Sequence, residues 1–155
     1  MHHRKFEKII EYIVERGIEA VNANTDEFPI TIDYLAVFAK DEAEYQDMME
    51  YTQGFGEVVD KHKAKSGKTI LLNKPIKTEA GPLKVLKIRQ PDPTRPQRGA
   101  PDFRVGDYND FKNKYLVDNG NFTLMVRKDY EMIELKGIDV LVYFPSKLFD
   151  ERSNY

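Results

Sequence analysis

The residues in this chain best equipped for chemistry are cationic and aromatic. They are Tyr34, Lys87, Arg89, Arg95, Arg98 and Arg104, with the carboxylate Asp102 among them. Arginine suits carboxylates and phosphates because its planar fork makes two parallel, charge-assisted hydrogen bonds. A tyrosine adds a flat apolar wall with a polar tip. Such a set predicts a binding site for a small anionic or polar-aromatic molecule. The same residues permit a second arrangement, in which Arg89 and Asp102 pair across neighbouring strands as an internal staple. Arg95 and Arg98 also carry two readings. They lie at 90–101 among Pro91, Pro93, Pro96, Pro101 and Gly99. They could close over a ligand's acidic group, or they could bond loop carbonyls left unpaired by the prolines.

Other chemistry is sparse. His62 sits among Lys61, Lys63, Lys65 and Lys68, a stretch that could meet phosphates but has no interleaved aromatics for stacking bases. A solvated hairpin is the plainer expectation. One histidine without spaced partners does not build a zinc site. The chain has no Cys, so disulfides and thiolate chemistry are excluded. It has neither a glycine-rich phosphate loop nor a nucleophile elbow. Asp41, Glu42 and Glu44, like Asp129 and Glu131, read as helix caps and turn residues. The residues themselves leave any catalytic group unknown, and no metal or cofactor is expected.

Composition frames these readings. With 155 residues and 41% apolar content, including nine Phe and nine Tyr, the chain is expected to fold as a single domain over 1–155. A net charge of −2 gives no general attraction to nucleic acid or an anionic membrane. Apolar runs are strand-sized, so no membrane span is expected. Met1-His2-His3-Arg4 lacks the apolar core of a secretory signal, and the lack of Cys suits a cytoplasmic setting. A homodimer through sheet edges or the first helix is the alternative partnership.

The elements that must position the candidate residues follow from periodicity. The opening segment 4–20 is a helical one, with the helix itself read over residues 4–16. Phe6, Ile9, Ile10, Ile13 and Val14 form its apolar stripe, and Gly17 is a stop signal. Residues 31–39 form a strand, Asp41 caps a helix with Glu44 three residues on, and strands follow near 57–63, 68–73 and 83–89. After the proline-rich connector at 90–101 the order repeats. It comprises a strand at 102–106, a helix over 108–117 capped by Asp107, and strands near 122–127, 130–135 and 138–144. A polar tail over 145–155 is expected to fray. The fold class is therefore α+β: two tandem β-α-β-β-β modules, 31–89 and 102–144, forming a curved mixed sheet around a cleft. Strand alternation puts Leu35, Val37, Leu86, Ile88 and Phe103 toward the helices. It puts Tyr34, Lys87, Arg89, Asp102 and Arg104 toward the cleft.

A family likeness runs over residues 30–106. Ile32-Asp33-Tyr34-Leu35-Ala36-Val37-Phe38, Gly56-Glu57, Lys74-Pro75-Ile76, Ile88-Arg89-Gln90-Pro91 and Gly99-Ala100-Pro101-Asp102-Phe103-Arg104-Val105 occur in order. Together with the paired modules, they resemble the vicinal oxygen chelate (glyoxalase and bleomycin-resistance) superfamily, in particular its YecM-like branch. The resemblance implies a divalent metal in the cleft and lyase, isomerase or dioxygenase chemistry. At the implied ligand positions, however, the sequence has Tyr34, Arg89 and Asp102, with Tyr143 and Phe144 on the closing strand. Only Asp102 is an ordinary ligand for such a metal. The departures imply a metal-free, small-molecule binding module of this layout.

Overall fold

The computed structural model describes residues 1–59, 66–117 and 120–152. A long helix α1 (His3–Asn24) precedes the first module: β1 (Thr31–Phe38), α2 (Glu42–Tyr51), β2 (Gly56–Val58), β3 (Gly67–Thr78) and β4 (Gly81–Arg89). The second module repeats the order as β5 (Gly99–Arg104), α3 (Tyr108–Tyr115), β6 (Phe122–Val126), β7 (Glu131–Lys136) and β8 (Leu141–Pro145). Among the described residues the strands form one eight-stranded mixed sheet, ordered β2-β3-β4-β1-β5-β8-β7-β6. The predicted α+β class and doubled β-α-β-β-β unit are thus observed. In each module the first strand runs parallel to the last, β1 with β4 and β5 with β8. The modules join edge to edge through the antiparallel pair β1 and β5.

One face of this sheet carries the helices. Leu35, Val37, Leu86, Ile88, Phe103 and Phe144 alternate onto it and are fully buried in a core completed by Ile10, Ile13 and Phe111. Burying each such side chain contributes roughly 1.5–3 kcal/mol. The opposite, concave face has a smaller apolar cluster around Ala36, Phe38, Ala100 and Tyr143. Ala36 and Ala100 are directly paired across the seam. Their small side chains leave the middle of this face open. No helix of the described residues is long and apolar enough to cross a membrane.

Several boundaries differ from expectation, each for a physical reason. Helix α1 runs through Gly17 to Asn24 instead of stopping. Gly17 serves close packing: a Cβ there would lie 2.8 Å from the Pro101 ring and 3.1 Å from Phe103. Strand β5 starts at Gly99, inside the predicted connector. It bridges to β8 at Asp102 and to Val140, just before β8, at Gly99, on either side of Pro101, whose nitrogen has no hydrogen to give. The expected fraying of the tail is not seen for 146–152. This segment crosses the concave face, with a 3₁₀ turn at Phe149–Glu151 and with Phe149 and Arg152 buried. The predicted basic hairpin around His62, with Lys61, Lys63 and Lys65, lies outside the described residues.

Arg98 holds the modules together instead of serving the cleft. Asp41 caps α2 by accepting from the Glu44 amide at 2.8 Å, as the sequence predicts. The Glu44 carboxylate accepts from the Lys40 amide at 3.0 Å and from both Arg98 terminal nitrogens, at 2.6 and 3.0 Å. Arg98 also donates to the Phe38 carbonyl at 3.1 Å. Burial raises the Glu44 pKa, but these donors more than offset it and hold the group below its ordinary value. Removing Arg98 leaves a buried carboxylate without its counter-ion. Arg98→Ala is expected to lower stability by roughly 3–5 kcal/mol, read from urea unfolding midpoints. A loss under about 1 kcal/mol, the range of exposed pairs, would show that water replaces Arg98 at no cost.

Candidate functional site

The open middle of the concave face is a cavity of about 280 Å³. Its floor is Ala36 and Ala100, and its walls come from β4, β1, β5, β8, the connector and the returning C-terminal segment. Five of the predicted residues line it: Tyr34, Lys87, Arg89, Arg95 and Asp102. Two do not. Arg98 is committed to Glu44. Arg104 is half exposed, sits in a neighbouring cavity and lies 3.4 Å from Asp33. Strand alternation assigned Arg104 to the correct face but could not place it along the strand. It lies opposite Thr31, at the far end of β1 from Phe38.

The expected Arg89–Asp102 pair does not form. Asp102 lies opposite Tyr34, and Arg89 lies opposite Phe38. These positions lie four steps apart on β1, about 13 Å of extended chain. Asp102 pairs instead with Arg152 at 2.8 Å, with both side chains at most 5% exposed. Arg152 sits among three rings, 4.7 Å from the centroid of Tyr130, 5.7 Å from Phe149 and 5.9 Å from Tyr34. Complete burial pushes the Asp102 pKa up to about 6, although the Arg152 cation and hydrogen bond pull it back. Burial alone would lower the Arg152 pKa, but Asp102 brings it above its ordinary value.

At the other end of the cavity the balance is cationic. Arg89 is partly buried, with its guanidinium 5.4 Å from the Phe38 ring centroid. Burial lowers its pKa, and the nearby Arg95 lowers it further. Among the described residues, no carboxylate lies within ion-pairing distance of Arg89. Asp92 is near enough to be felt, but it is engaged by the Thr94 amide at 2.9 Å and hydroxyl at 2.7 Å. Arg95 reaches in from the connector and donates to the Tyr143 hydroxyl at 3.4 Å. That hydroxyl donates in turn to Glu134 at 3.0 Å. Burial and the Glu134 charge push Tyr143 up to about 12, so it stays a protonated donor.

Sequence reasoning missed Arg127, Tyr130, Phe149 and Arg152 as cavity residues. The sequence places Arg127 and Tyr130 at the ends of strands, whereas both lie in the turn between β6 and β7, just outside the alternating stretch. Phe149, the last aromatic before 150–152, was the available signal that the tail docks. The donor set suits an anion and not a divalent cation. Arg89 and Arg95 are cations, Tyr143 is held protonated, and Asp102 already has a cationic partner.

No family model matches this sequence, and no curated protein matches it. Among solved structures the chain is similar to one described as "Structural Genomics, Protein EC4020", with a TM-score of 0.67 and 12% identity over 94% of this chain and 89% of that one. That likeness shows a shared fold.

The Asp102 environment has a measurable pH signature. The folded carboxyl holds its proton more tightly than the unfolded chain does. Its contribution to stability is therefore greatest at low pH and is lost as pH rises from about 4 to about 6. Carbon-13 NMR is expected to show Asp102 titrating well above an ordinary aspartate, and higher still in Arg152→Met. A midpoint near or below 4 in the wild type would mean that the ion pair outweighs burial.

Proposed function

We propose that this chain is a metal-free module of vicinal-oxygen-chelate layout that binds a small anionic molecule in its concave cleft. The observation that carries the reading is Arg89, a partly buried guanidinium facing a second cation, Arg95, without a carboxylate partner among the described residues. A carboxylate or phosphate placed between them would replace repulsion with bidentate, charge-assisted hydrogen bonds. Arg127 adds charge at the rim, while Tyr34, Tyr130 and Tyr143 supply flat walls and hydroxyls. The alternative, a metal-dependent enzyme of that superfamily, is disfavoured by the donor set at the implied metal positions. The absence of Cys suits a reducing, cytoplasmic setting.

Thermal melting in the presence of benzoate, citrate or inorganic phosphate tests the reading, with sodium chloride of matched ionic strength as control. An anion at 100 times its Kd stabilises the fold by about 2.7 kcal/mol. That corresponds to a rise in Tm of roughly 5–10 °C for a chain of this size. Arg89→Ala is expected to abolish the rise, and Ala100→Leu, which fills the floor without changing charge, to reduce it. The reading fails if no anion exceeds the chloride control, or if Arg89→Ala responds like the wild type.

A further inference from the structure

Phe149 lines two cavities, the cationic one of about 280 Å³ and a neighbour of about 360 Å³. These are two lengths of one trough. Thr69 pairs with Lys87 on β3 and β4, and both line the first cavity; Leu71 pairs with Val85, and both line the second. Residues two apart on a strand share a face, so the side chains of one cavity continue directly into the other. The C-terminal segment crosses at this point.

Besides the Arg152 guanidinium 5.7 Å from its ring, Tyr34 and Asp33 hold Phe149 in place. The Phe149 ring stacks on Tyr34 with centroids 5.5 Å apart and planes at 16°. Its amide donates to Asp33 at 2.8 Å. Asp33 occupies the irregularity in β1 between Ile32 and Tyr34, which turns two consecutive side chains away from the core. The chambers differ chemically. The first holds Arg89, Arg95 and Arg127. In the second, Arg104 and Lys84 are balanced by Asp33 and Asp150, beside apolar Leu71, Val85 and Pro82.

We propose that Phe149 is the specificity-determining residue of the cleft. It limits the ligand to anions with a compact body by walling off a chamber that would otherwise accept an apolar tail. This rests on the anion-binding reading above. Head groups belong at Arg89 and Arg95, and a chain longer than the first chamber meets the Phe149 ring.

Calorimetric titration with butyrate and octanoate tests this in the wild type, Phe149→Ala and, as a milder change that keeps the segment packed, Phe149→Leu. The ratio of octanoate to butyrate affinity is expected to rise about tenfold or more in Phe149→Ala as methylenes leave water for the second chamber, and by less in Phe149→Leu. A measurement on the wild type needs no variant to fold: in amide NMR, butyrate is expected to shift Thr69 and Lys87 and to leave Leu71 and Val85 in place. Butyrate binding with an unchanged affinity ratio in both variants, or with equal shifts in both chambers, overturns the role of Phe149 alone. If the wild type binds benzoate, citrate or phosphate but neither alkanoate, the role of Phe149 fails and the anion-binding reading stands; if it binds none of these anions, both fail.

Discussion

The antiparallel pairing of β1 with β5 is the interaction on which the rest of this structure depends. Neither module encloses anything alone, because each is a four-stranded sheet with one apolar face. Joined at that edge, they become a single curved sheet whose central strands come from both modules. Helix α1 seals the seam from the convex side through close packing at Gly17, and Arg98 with Glu44 ties the start of β5 to α2. On the other side, the pairing of Ala36 with Ala100 leaves volume unfilled. The cleft therefore follows from how the seam is built.

Charge is distributed unevenly inside that volume. Asp102 and Arg152 neutralise each other in a fully buried, aromatic setting, where either alone would be costly. Among the described residues Arg89 and Arg95 have no carboxylate paired with them in this way, and the hydroxyl of Tyr143 is turned to Glu134. One end of the cleft is thus a closed ion pair that anchors the returning chain. The other end is a cationic recess. The ion pair that fixes the tail and the cationic recess start from backbone positions about 13 Å apart along β1.

Much of the fold was legible from local pattern. The stripe on α1, the Asp41 and Asp107 caps and the alternation on β1, β4 and β5 each reflect a short-range rule that tertiary packing did not override. The pattern misled where a residue had two uses. Gly17 reads as a stop and acts as a packing contact, and the prolines at 90–101 read as a connector although Pro101 lies within β5. For the cleft, alternation assigned Tyr34, Lys87, Arg89 and Asp102 to the correct face, because side-chain direction depends only on position within a strand.

The sequence by itself determined the element types, the doubled order and the face on which each strand residue lies, since all three follow from neighbours a few positions apart. Tertiary structure alone decided which cation meets which carboxylate. Asp102 takes Arg152, fifty residues away, instead of Arg89; Arg98 takes Glu44; and Phe149 reaches Tyr34. Those choices depend on strand register and on the path of the returning chain. Both are set by the summed packing of distant segments, to which no local spacing gives access.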